Sequence, residues 1–246
     1  MKFLKYFPFG ELTIALVEES SNRKLQVYNS KLKVLTAYII PTNLQKSDFA
    51  TWQMYEDVVC AQNCKHTKRN GGTCSVGGIQ YSVWKVIEAF HTNPEKTFKL
   101  PEAYGIRATA HGDLCRLNAD GKLFMKILME GAQEVRAYTA GWLQQDMIDM
   151  FQNCGVMASV YNSADALLAQ GLGWRTYRYR ESDNVRAHDG ERNCTLLGNG
   201  HPSEDGRGCF AACPSPCNGT AFNVVSPDHE KLKRQQKRLD NIQVSL

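Results

Sequence analysis

Apolar and polar positions change period several times between residues 32 and 180. The run LKVLTAYII at 32–40 is apolar and β-branched, stops at Pro41, and reads as a strand. YGIRATAHGDL at 104–114 reads as another. In DGKLFMKILMEGAQ, Leu123, Ile127, Leu128 and Ala132 recur at helical spacing and predict an amphipathic helix with those residues inward. EVRAYTA at 134–140 is the next strand. LQQDMIDMFQNC then sets Leu143, Met147, Met150, Phe151 and Cys154 on one helical face, and Gly155 leads into the strand VMASVYN at 156–162. Ser163 is placed to cap a helix over ADALLAQG with Gly171 as its stop, and WRTYRYR at 174–180 follows as a strand.

Strands spaced by roughly twenty to thirty residues and joined by helices are what parallel crossovers require. The expected fold class is α/β, a partial (β/α) barrel with cysteine-rich metal-binding loops. Polar residues gather at the C-terminal ends of the predicted strands: His111, Gly112 and Asp113; Tyr138 and Thr139; Asn162 and Ser163; Tyr179 and Arg180. Ligands of parallel sheets and barrels sit at that end. Two segments, 57–78 and 192–219, lack this periodicity and are rich in Gly, Asn, Pro and Ser, so their order calls for a bound metal. The expected organisation is a single domain, 1–246, with the α/β barrel at about 30–190, a cysteine-rich metal loop at 192–219 and a charged helical tail at 228–246.

Composition adds bounds. With 43% hydrophobic and 22% charged residues in 246, the chain can bury a sizeable core and is unlike a disordered protein. Lys and Arg number 29 against 25 acidic residues, a net +4 that is too mild to select a nucleic-acid partner by itself. No run approaches the roughly 18 apolar residues of a membrane span, so no membrane partner is expected. The nine cysteines are many for this length. Their odd number, and an N-terminus with broken apolar runs in place of a signal cleavage site, point to a reducing, cytoplasmic compartment rather than a secreted disulfide framework. The sequon Asn218-Gly219-Thr220 is then incidental.

The cysteines divide into clusters. Cys60, Cys64 and Cys74 stand as C-x3-C-x9-C, with His66 and Gly71-Gly72 inside the loop. Three thiolates can hold three irons of a [4Fe-4S] cubane and leave the fourth iron open to a small molecule; zinc would use His66 as a fourth ligand. Cys194 precedes Cys209-x3-Cys213-x3-Cys217, four thiolates that suffice for a zinc site or a second, closed iron-sulfur cluster, with His201 as the alternative to Cys194. Cys154 reads as core. Cys115, just after Gly112-Asp113-Leu114, reads either as packing or as a thiol facing a ligand.

The order of these motifs resembles the gene-product-88-like family of mycobacteriophages and related viruses. The residues that carry the resemblance run from about 57 to 229. They are Cys60, Cys64 and Cys74; Arg107 with Gly112-Asp113-Leu114; Tyr138-Thr139; Asn162-Ser163; Cys209, Cys213 and Cys217; and His229 after FNVVSPD. That family is similar to divergent radical S-adenosylmethionine enzymes, in which a three-cysteine loop binds a [4Fe-4S] cluster whose open iron chelates the amino and carboxylate groups of the cofactor. The usual spacing there is C-x3-C-x2-C with an aromatic before the last cysteine; this chain has nine residues before Cys74 and no aromatic there.

The resemblance implies an enzyme that reductively cleaves S-adenosylmethionine to a radical and acts on a nucleotide, nucleobase or peptide substrate, in the host cytoplasm if the chain is viral. It gives Gly77 and Gly78 to the cofactor's amino group, Asp113 to its ribose or amino group, and Thr139, Asn162 and Ser163 to its other polar contacts. Arg107 or Arg178 would meet an anionic substrate group, and Cys115 would stand with Asp113 and Arg107 at the reacting centre. The rival expectation is a non-enzymatic, metal-stabilised protein that inhibits a host protein or binds nucleic acid through the basic loop 65–69 and the tail residues 231–238.

Overall fold

The computed structural model describes residues 2–18, 33–43, 52–65, 67–70, 86, 99–179, 191–193 and 223–226. Strands β1 (Lys2–Phe9) and β2 (Leu12–Glu18) form an antiparallel hairpin around Gly10, whose φ of 72° lies in the left-handed region that such a tight turn uses. β3 (Lys33–Pro41) pairs antiparallel with β2. From β3 onward every pairing is parallel: β4 (Tyr104–His111), β5 (Glu134–Thr139), β6 (Val156–Val160), β7 (Arg175–Tyr179), then β9 (Asn223–Ser226) and finally β8 (Glu191–Asn193). The described strands make one nine-stranded sheet in the order β1-β2-β3-β4-β5-β6-β7-β9-β8. Through β7 each strand lies beside its predecessor in sequence. The fold is α/β with a mostly parallel sheet, as its hydrophobic period implies.

Helix α1 (Trp52–Val59) follows β3, α2 (Ala119–Glu130) follows β4, α3 (Gln145–Phe151) follows β5 and α4 (Ser163–Gly171) follows β6. Parallel pairing needs such crossovers, since a strand must return to the same end before it can run alongside its predecessor. Alternate strand residues Leu35, Ala37 and Ile39, Tyr104, Ile106 and Ala108, Ala137, and Val156, Ala158 and Val160 share one buried cluster with Met125, Leu128, Met147, Phe151, Ala166 and Ala169 of the helices. Each large apolar side chain so buried contributes about 1.5–3 kcal/mol. The residues between them occupy the other sheet face, which is much more polar: Thr36, Tyr38, Arg107, His111, Arg136, Tyr138, Ser159, Tyr161 and Tyr177.

Three local expectations need correction. In α2 the inward stripe is Gly121, Lys122, Met125, Leu128 and Met129, whereas Leu123 and Ile127 are 50% and 59% exposed. The stripe is turned because the stem of Lys122 lies in the core while its ammonium pairs with Asp146 on α3. In the next unit Leu143 lies outside α3 and is exposed, leaving Met147 and Phe151 as the helix's buried residues. The cap of α4 is Asn162, whose Oδ1 accepts from Asp165 N at 2.7 Å; Ser163 is already the first helical residue. That helix runs through Gly171, and the left-handed residue beyond it is Gly173 at φ 86°. The N-terminal hairpin was not foreseen. Among the described residues no helix is long and apolar enough to cross a membrane.

Candidate functional site at the C-terminal strand ends

At the exit of β4 the chain turns through Gly112, with φ 79°; a Cβ there would lie 2.6 Å from the Cβ of Ile39, so glycine is required on two counts. The turn delivers Asp113, which is buried and caps the short helical turn Leu114–Arg116. One carboxylate oxygen accepts from Cys115 N at 3.0 Å and from the Thr139 hydroxyl at 2.7 Å; the other accepts from Ala140 N at 2.8 Å. The Thr139 oxygen in turn accepts from Gly141 N at 3.0 Å. Asp113 thus clamps the exits of β4 and β5 together.

The first cysteine loop is fastened to this clamp. Asp113 N donates to Val59 O at 2.8 Å and Arg116 Nε to Val58 O at 2.9 Å, which attaches the end of α1 to the β4 exit. Cys60 follows directly. Asn63 Nδ2 donates to Ala140 O at 2.7 Å, at the β5 exit. The Tyr161 hydroxyl, at the β6 exit, donates to Cys64 Sγ at 3.5 Å, and Lys65 Nζ lies 5.4 Å from the centroid of the Tyr161 ring. Within the loop, Thr67 and Asn70 both donate side-chain hydrogen bonds to Cys64 O, at 2.9 Å each, and Arg69 pairs with Asp57 at 2.6 Å. Cys60 and Cys64 are half-buried on a loop held against three strand exits.

Asp113, Thr139, Cys115 and the Cys60–Cys64 loop are therefore neighbours. Asp113 and Thr139 spend their side-chain oxygens on one another and on backbone, and Asn162 spends both ends of its amide on Asp165. These residues set the shape of the site. Cys115 is 8% exposed, and burial first, then the charge and hydrogen bond of Asp113, push its thiol far up, which disfavours the nucleophilic thiolate. Arg107 is half-buried on the polar sheet face, and Arg178 is buried on the helix-facing side of β7, in register with Val160. Burial lowers the pKa of His111 to about 4, so it is a neutral imidazole at pH 7. Cys74, Gly77, Gly78, Cys194, Cys209, Cys213, Cys217, His66, His201, the loop 194–219 and the tail 228–246 lie outside the described residues.

A cavity of about 590 Å³ opens at the other end of the sheet, beside Glu130, Gln133, Gln152, Gly155 and Arg175. It is remote from the cysteine loop. Pattern reading missed Asn63 and Tyr161. Asn63 had a signal, being the polar residue just before Cys64; Tyr161 had another, the strand alternation that places it on the same face as Ser159.

No protein family, curated protein or solved structure matches this chain.

Proposed function

We propose that the chain is an iron-sulfur enzyme of radical S-adenosylmethionine type, with Cys60, Cys64 and Cys74 holding a [4Fe-4S] cluster. The observation that supports it is the fastening of Cys60 and Cys64 to the exits of β4, β5 and β6 through Val59, Asn63 and Tyr161. Successive strands that adjoin in chain order suit a partial barrel, and ligands of such folds sit at the strand exits. The donor set fits in kind. Two soft sulfur donors stand four residues apart, half-buried, with a hydroxyl donating to one of them, a feature that stabilises a thiolate ligand.

Bound there, such a cluster would supply the electron that cleaves S-adenosylmethionine reductively. The chain's own part is structural and electrostatic: the Asp113 clamp holds the β4 and β5 exits under the loop, and Tyr161 supplies a hydrogen bond to sulfur. The second group, Cys194, Cys209, Cys213 and Cys217, is assigned to a closed zinc or iron-sulfur site.

The test is anaerobic purification with a visible spectrum and metal analysis. Broad iron-sulfur absorbance with iron and sulfide is expected, with loss of one cluster but not the other in Cys60→Ala, and formation of 5′-deoxyadenosine from S-adenosylmethionine by the reduced protein. A colourless protein with two equivalents of zinc overturns the proposal.

A further inference from the structure

Tyr161 directly follows β6, in which Val156, Ala158 and Val160 alternate towards the helices. The same alternation sets Tyr161 with Ser159 on the polar face, at the strand exit, where it is 9% exposed. Its hydroxyl donates to Cys64 Sγ at 3.5 Å. Lys65, exposed and next to Cys64 in the chain, sets its ammonium over the Tyr161 ring, 5.4 Å from the centroid. A cation over the face of an aromatic ring is attracted by its π electrons and draws density from it. A phenol depleted in this way is a stronger hydrogen-bond donor.

The acceptor is held as firmly as the donor. Cys64 N donates to Ala61 O at 3.1 Å, and Cys64 O accepts from Thr67 N at 3.2 Å and from the side chains of Thr67 and Asn70 at 2.9 Å each. The residue before it, Asn63, is tied to Ala140 O at 2.7 Å. With its backbone pinned on both sides, Cys64 keeps one side-chain torsion by which its sulfur moves. Tyr161 is placed by β6, which is paired with β5 on one side and β7 on the other. Donor and acceptor thus sit on two separately fixed segments, so the bond persists when the charge on the sulfur changes.

We propose that Tyr161, backed by Lys65, sets the reduction potential of the cluster that Cys64 ligates, an inference that rests on the iron-sulfur reading above. A hydrogen bond to a ligating sulfur withdraws negative charge from it and stabilises the reduced cluster, which carries one more electron, above the oxidised one. The potential rises, and a milder one-electron donor suffices to reduce the site. Tyr161 acts through Cys64 and is a positioning residue. Lys65 acts one step further out, through the phenol.

Anaerobic redox titration of the full chain with dithionite and mediator dyes, followed by electron paramagnetic resonance, tests this; the signal of the loop is the one that Cys60→Ala lacks. Tyr161→Phe keeps the ring and removes the hydroxyl. At a fixed applied potential its ratio of reduced to oxidised cluster is expected to fall roughly tenfold, a shift of about 59 mV to more negative values for a one-electron couple. Lys65→Met, at an exposed position that the fold tolerates, is expected to shift the potential the same way by less. A potential unmoved in Tyr161→Phe, with its iron retained, overturns the proposal. Loss of iron from Tyr161→Phe together with an unmoved potential in Lys65→Met gives Tyr161 to the fold alone and overturns it too. Iron and sulfide measured on the unaltered protein separate the two readings: their absence removes the cluster and this inference with it, whereas their presence with unmoved potentials removes this inference and leaves the cluster.

Discussion

Asn63, between two cysteines, donates its side-chain amide to the carbonyl of Ala140 at 2.7 Å, across 77 residues of sequence. This bond ties the cysteine loop to the exit of β5, beside the Tyr161–Cys64 contact at the exit of β6. Replacing Asn63 with Ala is expected to lower stability by about 1 kcal/mol, the net worth of one such bond, and to raise the alkylation rate of Cys60 and Cys64 in the metal-free protein. Peptide mapping after timed iodoacetamide labelling checks it; unchanged rates would mean that the tether does not restrain the loop.

Asp113 accepts from two backbone amides and one hydroxyl. Asp113→Ala leaves these buried donors unsatisfied and is expected to cost about 3 kcal/mol or more, since each bond to a charged acceptor is worth about 1.5–3 kcal/mol. Thr139→Val should cost less, because it removes one of those donors along with the acceptor for Gly141 N. Denaturant midpoints of the two variants give the order, and the reverse order would move the centre of the clamp to Thr139.

Gly112 faces Ile39 in a left-handed conformation. Gly112→Ala combines about 1–2 kcal/mol of backbone strain with the overpacking penalty of a core side chain, about 1–3 kcal/mol. Ile39→Ala added to it keeps the Cβ that stands 2.6 Å away and removes only the Cγ2 at 3.3 Å, so it should recover little of either penalty. A double-mutant cycle of unfolding free energies checks that the two losses are close to additive.

His111 carries a pH dependence whose sign follows from burial. Its folded pKa, lowered to about 4, lies below the unfolded value of 6.5, so the unfolded chain binds the extra proton first. Its neutral form therefore supports the fold fully above pH 6.5, and stability falls as pH drops from 6.5 towards 4, by about 3 kcal/mol at most. His111→Gln should flatten the stability curve over that interval. A curve of unchanged slope would place the proton elsewhere.

Much of the architecture was legible because β3 to β7 and the helices between them keep a clear period: Val156, Ala158 and Val160 alternate, and Met147 and Phe151 return on one helical face. The N-terminal hairpin hid because Lys5 and Pro8 interrupt its apolar run, and strand pairing, not composition, makes it a sheet edge. The inward face of α2 departs from the Leu123–Ile127 spacing because the Lys122 stem, only 5% exposed, takes a core position that apolar counting does not credit to a lysine. At the site, Asp113 and Asn162 were legible as strand-end polar residues, yet short polar side chains there cap and clamp as readily as they bind ligands. What no one-dimensional pattern could supply is the juxtaposition of Asn63 with Ala140, or of Tyr161 with Cys64.

The placement of β9 between β7 and β8 carries a consequence for synthesis. When the ribosome has made β8, its partner does not yet exist, and β7 presents an open parallel edge until residues 223–226 emerge. Through that interval the nascent chain shows an unpaired row of amides and carbonyls, the kind of edge on which strands from other chains add. A chain halted before residue 223 should therefore self-associate more than the finished one, because β9 covers the edge of β7 and joins it to the three-residue edge strand β8.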